Sequence, residues 1–150
     1  MANTYTQLYI HLVFAVKSRD SLIRPEHKEE LHKYITGIVK NDECKMLAIN
    51  SMPDHIHILI GLHPKIALAD LIRDIKANSS SFVKEKGVPF GWQEGYGAFS
   101  CSESQKQNVI EYIRNQEEHH KKRSFREEYI EFLKSYNIPY EERYVFEPLM

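Results

Sequence analysis

Two histidines in one apolar run are the residues of this chain best suited to chemistry. His55 and His57 are separated by a single residue within Pro-Asp-His-Ile-His-Ile-Leu-Ile, residues 53–60. Since the side chains of a strand alternate between its two faces, both imidazoles must point to the same side. Neutral imidazole is the commonest nitrogen ligand of divalent metal ions. The spacing is therefore compatible with a metal site, and equally with two structural histidines, one bound to backbone and one solvated.

Hydrophobic periodicity predicts the elements that position this pair. Residues 5–17 are rich in aromatic and β-branched side chains, which is typical of a strand. Pro25 suits the first turn of a helix, and apolar residues then repeat at helical spacing to about residue 41. Residues 45–51 and 55–62 predict a hairpin closed by a Pro-Asp turn, with the histidines at the start of its second strand.

The remaining segments predict three more helices and one more strand. A second amphipathic helix is expected over residues 67–86, although its polar centre, residues 78–81, has poor helix propensity. Ser102 and Gln105 have the spacing of a capping box at the start of a third helix. The predicted elements after the second helix are a strand at 95–100, a helix from Ser102 to about His120, a helix at 125–136 and an irregular tail from 137.

The order β-α-β-β-α-β followed by two helices predicts an α+β fold. A ferredoxin-like (RRM-like) antiparallel sheet with additional C-terminal helices accommodates it, with both crossover helices on one face. In that arrangement the first and third strands are central neighbours. His55 and His57 would then lie mid-sheet on an exposed face. We expect a single domain over residues 1–150, because this length suffices for one buried core.

Composition narrows the classes of function. The formal net charge of −1 is not that of a generally basic nucleic-acid-binding protein, although residues 119–123, His-His-Lys-Lys-Arg, form a local basic cluster. No apolar run approaches the length that crosses a bilayer, so no membrane association is expected, and the N-terminal residues do not resemble a signal peptide. Cys44 and Cys101 lack metal-ligand spacing and are expected to be reduced thiols of a cytoplasmic protein.

The third predicted helix carries a tyrosine and a glutamine at helical spacing. Tyr112 and Gln116 are four residues apart, so they lie on one flank of that helix, beside its apolar stripe. A tyrosine at a helix rim usually packs its ring and exposes its hydroxyl. By themselves these two residues therefore predict no catalysis.

Three segments taken together resemble the HUH single-tyrosine transposases, the small transposases of insertion sequences that move as single-stranded DNA. They are His55-Ile56-His57, the aromatic segment 92–100, and the helix with Tyr112 and Gln116. The resemblance runs from the first predicted strand to the helix that follows Tyr112 and includes the chain length. The histidine motif alone is a weak signal, but the Tyr-x-x-x-Gln helix downstream makes the combination specific.

The resemblance implies a role for each matched residue. His55 and His57 match the family's two histidine metal ligands, Gln116 matches the third protein ligand, and Tyr112 matches the nucleophile. Family members bind Mg²⁺ or Mn²⁺, act as homodimers in which the tyrosine helix can complete the partner's site, and recognise single-stranded DNA hairpins at element ends. Candidates for phosphate contacts are Arg114, His119, Lys121, Lys122 and Arg123.

These residue types suit phosphodiester transfer. A cation held by two imidazoles and an amide would leave coordination positions for the non-bridging phosphate oxygens. A tyrosine phenol has an ordinary pKa of about 10, so a nearby cation would help it attack as phenolate. The expected product is a 5′-phosphotyrosine with a free 3′-OH. Because it retains the bond energy, a second 3′-OH can rejoin the strands without ATP.

Three other interpretations stay open. A chromosomal relative that nicks repeated hairpin sequences without mobilising itself would use the same residues. A hairpin-binding repressor that has lost catalysis is disfavoured by the four intact site residues. A metal hydrolase of small phosphoesters would need a cluster of acidic ligands, and none is visible near the motif. Asp54 could orient His55, or simply belong to the Pro-Asp turn.

Overall fold

Alternating apolar residues build a four-stranded antiparallel sheet in the computed structural model of this chain. The structure describes residues 3–18, 21–120, 123–141 and 145, without the side chains of His119 and His120. The elements are β1 (Tyr9–Ala15), α1 (Pro25–Asn41), β2 (Lys45–Met52), β3 (His55–Gly61), α2 (Leu68–Lys84), β4 (Gly97–Cys101), α3 (Lys106–Arg114), α4 (Gln116–His120) and α5 (Phe125–Ser135).

The strand order β2-β3-β1-β4 confirms the predicted ferredoxin-like topology. β3 pairs antiparallel with both β1 and β2, and β1 pairs antiparallel with β4. His57 lies opposite Val13 of β1 and opposite Asn50 of β2. The histidine pair therefore occupies a central strand, whose backbone is held on both sides.

One face of the sheet is apolar and packs on α1 and α2. Ile56, Ile58 and Ile60 of β3 are fully buried in one cluster with Leu12 and Phe14 of β1 and the apolar stripes of both helices. Full burial of an isoleucine contributes roughly 1.5–3 kcal/mol. The packing of α1 and α2 on the same side confirms the prediction that both crossover helices share one face of the sheet.

The opposite face, which carries the histidines, is covered rather than exposed, so that expectation is wrong. Ile110 and Ile113 of α3 pack on Leu59, and the apolar face of α5 packs on β1 and β4. As a result His55 and His57 are both 0% exposed. The face is covered because α3 and α5 have apolar sides of their own, which are removed from water by packing against this face of the sheet.

α2 continues through its polar centre, as predicted, and there Ser79 is buried and accepts a hydrogen bond, at 3.0 Å, from the indole N–H of Trp92. One predicted helix and the first predicted strand differ from their expected bounds. The predicted third helix is two helices separated at Asn115, where the side-chain amide of Asn50 donates to the carbonyls of Ile113 and Arg114 at 2.9 and 3.2 Å. β1 is shorter than the predicted strand.

α3 begins later than predicted. The backbone N–H groups of Ser102 and Gln105 each bind the other residue's side chain at 3.2 Å, the reciprocal pattern of a capping box, but α3 itself begins at Lys106 with Gln105 at its N-cap position. Cys44 and Cys101 are both free and buried. Within the part of the chain that the structure describes, none of the helices has the length and apolar character that crossing a membrane demands.

Candidate active site

Three of the residues predicted from the sequence to form a site, His55, His57 and Tyr112, come together on the covered face of the sheet. The rings of His55 and His57 have centroids 5.0 Å apart, and the ring of Tyr112, from α3, lies 6.0 Å from that of His57. Gln116 is 0% exposed, and its amide nitrogen donates to the backbone carbonyl of Tyr112 at 3.2 Å. The nucleophile candidate therefore faces its own chain's histidine pair.

The position of His55 is set by the residue before it. Its Nδ1 lies 2.6 Å from the Oδ1 atom of Asp54, and since a carboxylate only accepts, Nδ1–H is the donor. In the neutral imidazole this leaves the lone pair on Nε2. The ring of Phe125 stacks on His55 at 4.0 Å and restrains its plane. Asp54 thus orients the imidazole as well as forming the turn.

His57 is held by a third histidine that the sequence did not single out. Nε2 of His11, in β1, lies 2.9 Å from Nδ1 of His57. Burial lowers the pKa of His11 to about 4, so this imidazole is neutral near pH 7. A His57 that binds metal through Nε2 must carry its proton on Nδ1, and His11 Nε2 is placed to accept it. In the sequence, His11 stands out as a polar residue within an otherwise apolar strand. It lies two residues before Val13, the cross-strand partner of His57, and therefore on the same face as Val13.

A buried carboxylate from α5 completes the cluster. Glu128 Oε1 lies 3.0 Å from Nε2 of His57 and 3.6 Å from Nε2 of His55, and one ligand atom from each of the three residues lies within 4.8 Å of the others. The second carboxylate oxygen accepts a hydrogen bond from the Tyr112 hydroxyl. Burial, reinforced by the charge of Asp54, raises the pKa of Glu128 to about 8.

Glu128 was missed because it lies 71 residues beyond His57. Its sequence signal is a glutamate on the apolar face of the last helix, where Phe125, Tyr129 and Phe132 recur at helical spacing. The helix starts where predicted because Ser124 caps it, accepting from the backbone N–H of Glu127. Helix packing then carries the carboxylate to the histidines.

The residues predicted to contact DNA phosphates are only partly described. Arg123 Nη2 donates to the Tyr112 hydroxyl at 3.2 Å, and Nη1 of the same guanidinium binds Glu131. Arg114 is exposed at the end of α3. Lys121 and Lys122 lie outside the described residues, and His119 is described only as a backbone position of α4.

The donor set fits a divalent cation. Two imidazole nitrogens and one carboxylate oxygen are ligands that first-row divalent ions accept, and carboxylate suits Mg²⁺ and Mn²⁺ in particular. In octahedral coordination three protein donors leave three positions for water or phosphate oxygens. The neighbours of the histidines, Asp54 and His11, hold both imidazoles in the geometry that metal ligation uses.

A ferredoxin-like sheet that presents a His-x-His pair to a helix-borne tyrosine defines the HUH single-tyrosine class, which the sequence also resembles. A family model described as IS200-like transposase matches residues 4–116, and the chain belongs to that family. Membership implies a DNA-processing enzyme, and the family generally uses a divalent metal ion. The matched residues end at Gln116, so Glu128 and α5 lie outside them.

Individual relatives agree with the family match. The ISDra2 transposase TnpA of Deinococcus radiodurans is 25% identical over 118 residues, which cover 73% of this chain and 84% of that protein. The crystal structure of a candidate transposase from Deinococcus radiodurans R1 matches with a TM-score of 0.58 and 23% identity, over 77% of this chain and 95% of that one. The structure of a REP-associated tyrosine transposase bound to a REP hairpin matches with a TM-score of 0.61 and 15% identity, over 80% of this chain and 73% of that one.

Proposed function

We propose that this chain, acting as one domain over residues 1–150, is a transposase that cleaves and rejoins single-stranded DNA at hairpin-bearing element ends. The observation that carries the proposal is the convergence of Tyr112, His55 and His57 on one buried carboxylate. Tyr112 thus lies beside the histidine pair within a single chain. Similarity to a transposase that binds a REP hairpin supports a DNA hairpin as the substrate.

In this proposal His55, His57 and Gln116 hold Mg²⁺ or Mn²⁺. The amide nitrogen of Gln116 donates to the carbonyl of Tyr112, so Oε1 is the atom that would bind the ion. The bound ion would polarise the scissile phosphate as a Lewis acid.

Tyr112 is the proposed nucleophile. Its hydroxyl loses its proton as the oxygen bonds to phosphorus. The 3′-oxygen of the preceding nucleotide leaves with the bonding pair and takes up a proton, so a 5′-phosphotyrosine and a free 3′-OH form. A 3′-OH from another strand then attacks the phosphotyrosine and restores the phenol. The guanidinium of Arg123, 3.2 Å from the Tyr112 oxygen, would stabilise negative charge there. The proposed phosphate contacts are Arg114, His119, Lys121, Lys122 and Arg123.

The direct test uses labelled single-stranded hairpin DNA with Mg²⁺ or Mn²⁺. The unchanged protein should form a covalent protein–DNA adduct, and Tyr112→Phe should abolish it. Tyr34→Phe is a matched control, because Tyr34 lies in α1 and packs with Phe82 on the opposite face of the sheet. Cleavage that persists in Tyr112→Phe, with folding verified by thermal melting, would remove Tyr112 from its role.

The proposed assembly is a homodimer in which the tyrosine helix can serve the partner's site. In the described chain Tyr112 contacts its own histidines, so the test must separate the two arrangements. Mixing Tyr112→Phe with His55→Ala protein restores adduct formation only if a tyrosine from one subunit works with the histidines of the other. No restoration in verified mixed dimers would assign the reaction to residues of a single chain.

A second candidate is a chromosomal enzyme that nicks repeated hairpins without mobilising itself. Similarity to the REP-associated transposase favours it, and it would use the same residues. The two functions differ in the fate of the phosphotyrosine. A transposase should join the cut ends and insert the excised strand into a target, whereas the nickase should release cut hairpins without insertion products.

A further inference from the structure

Glu128 is an unusual residue for its surroundings. It is 1% exposed on the apolar face of α5, among Phe125, Tyr129 and Phe132. Burying a carboxylate away from water is costly unless hydrogen bonds or a cation compensate for the lost hydration. A leucine at this position would pack on the sheet without that cost, so packing alone does not account for a glutamate.

Each oxygen of this carboxylate has a separate set of neighbours. Oε1 faces the Nε2 atoms of His57 and His55, at 3.0 and 3.6 Å. Oε2 accepts the hydroxyl of Tyr112. The Nδ1 atoms of the two histidines face Asp54 and His11 instead, so both rings direct Nε2 toward the same oxygen.

We propose that Glu128 is a ligand of the catalytic cation through Oε1 and a positioning residue for Tyr112 through Oε2. This inference rests on the proposed function and adds a fourth protein donor to its site, which leaves two octahedral positions for phosphate oxygens. A carboxylate oxygen is a harder ligand than imidazole and is favoured by Mg²⁺ and Mn²⁺. One buried side chain would then link the attacking phenol to the ion that binds the phosphate.

The consequence is that α5 belongs to the active site. The family match ends at Gln116, and Glu128 lies in the helix packed over the site beyond that point. α5 is anchored to the sheet by Phe125 and Tyr129, which pack with Val13 and Phe99. Correct docking of this helix would therefore control metal affinity and the position of the nucleophile together.

The test is a titration of the full chain with MnCl₂, with free Mn²⁺ followed by electron paramagnetic resonance. Glu128→Gln preserves the side-chain volume and an acceptor for the Tyr112 hydroxyl but removes the charge, and Glu128→Ala removes the ligand altogether. Glu127→Gln, at the neighbouring exposed position of α5, is the matched control. Thermal melting without metal verifies that each variant folds.

We expect both Glu128 variants to weaken Mn²⁺ binding by about tenfold or more, while Glu127→Gln changes it by less than about twofold. Tyr112→Phe should retain Mn²⁺ affinity, because the Tyr112 hydroxyl binds Oε2 of Glu128, whereas Oε1 is the proposed ligand atom. Folded Glu128 variants that bind Mn²⁺ within about fivefold of the unchanged protein would overturn the inference. Two other outcomes would contradict the proposed function rather than the role of Glu128. They are an unchanged protein that binds no Mn²⁺ and a His57→Ala variant that binds Mn²⁺ normally.

Discussion

Replacing Asp54 by alanine tests how the protein prepares His55 for a metal ion. The Asp54 carboxylate lies 2.6 Å from Nδ1 of an imidazole that is fully buried. Without this acceptor, the proton of His55 can move to Nε2, the atom that faces Glu128, and a protonated Nε2 cannot bind a cation. The variant should therefore lose metal affinity while every direct ligand remains in place.

The size of the effect follows from the hydrogen bond. A hydrogen bond to a charged group contributes about 1.5–3 kcal/mol. The Asp54 side chain is 39% exposed, so solvent screening places this pair near the lower limit. About 1.4 kcal/mol corresponds to a tenfold change in an equilibrium constant, so Asp54→Ala should weaken Mn²⁺ binding about tenfold. Asp54→Asn keeps an acceptor without the charge and should lose about threefold.

The assay is a Mn²⁺ titration at constant pH, with Asp70→Ala as the control. Asp70 is an exposed residue of α2 that pairs with Arg73. Thermal melting of each variant separates a loss of affinity from a loss of fold. Unchanged Mn²⁺ affinity in Asp54→Ala, or an equal loss in Asp70→Ala, would refute the argument that Asp54 sets the proton position on His55.

Two further predictions concern packing and pH. A Cβ added at Gly97 would lie 2.7 Å from a ring carbon of Tyr129 in α5, so Gly97→Ala should lower stability by about 1–3 kcal/mol and weaken Mn²⁺ binding. The control is Gly37→Ala, which should stabilise α1, because a Cβ added there meets no atom within 4 Å. Unchanged melting and unchanged Mn²⁺ affinity in Gly97→Ala would contradict tight docking of α5. Burial, with the charge of Lys28, lowers the pKa of His32 from 6.5 to about 4, so its contribution to stability is present above pH 6.5 and is lost as the pH falls toward 4. Urea unfolding at pH 7 and pH 4.5 measures how much the free energy of unfolding falls between the two pH values. This decrease should be roughly 1–2 kcal/mol smaller in His32→Gln than in the unchanged protein, and equal decreases would exclude His32 as a source of acid sensitivity.

The fold was largely predictable because its signals are local. Alternation along β3 assigns Ile56 and Ile58 to one face and both histidines to the other, whatever the rest of the chain does. Pro25 and Ser124 mark two helix starts through backbone chemistry within one turn. The main exception involves a tertiary contact: the predicted third helix divides at Asn115, where the Asn50 side chain donates to the carbonyls of Ile113 and Arg114.

The candidate site likewise has features that follow from local sequence and features that depend on tertiary contacts. Strand alternation places His55 and His57 on one face, and the resemblance to a family singles out Tyr112 and Gln116. The burial of this face, and the contacts of His11 and Glu128 with His57 at 2.9 and 3.0 Å, follow from the packing of the folded chain. The physical reason is that side-chain direction within one strand follows from backbone geometry. Contacts between residues far apart in the chain depend instead on strand register and on the surface against which a helix buries its apolar face.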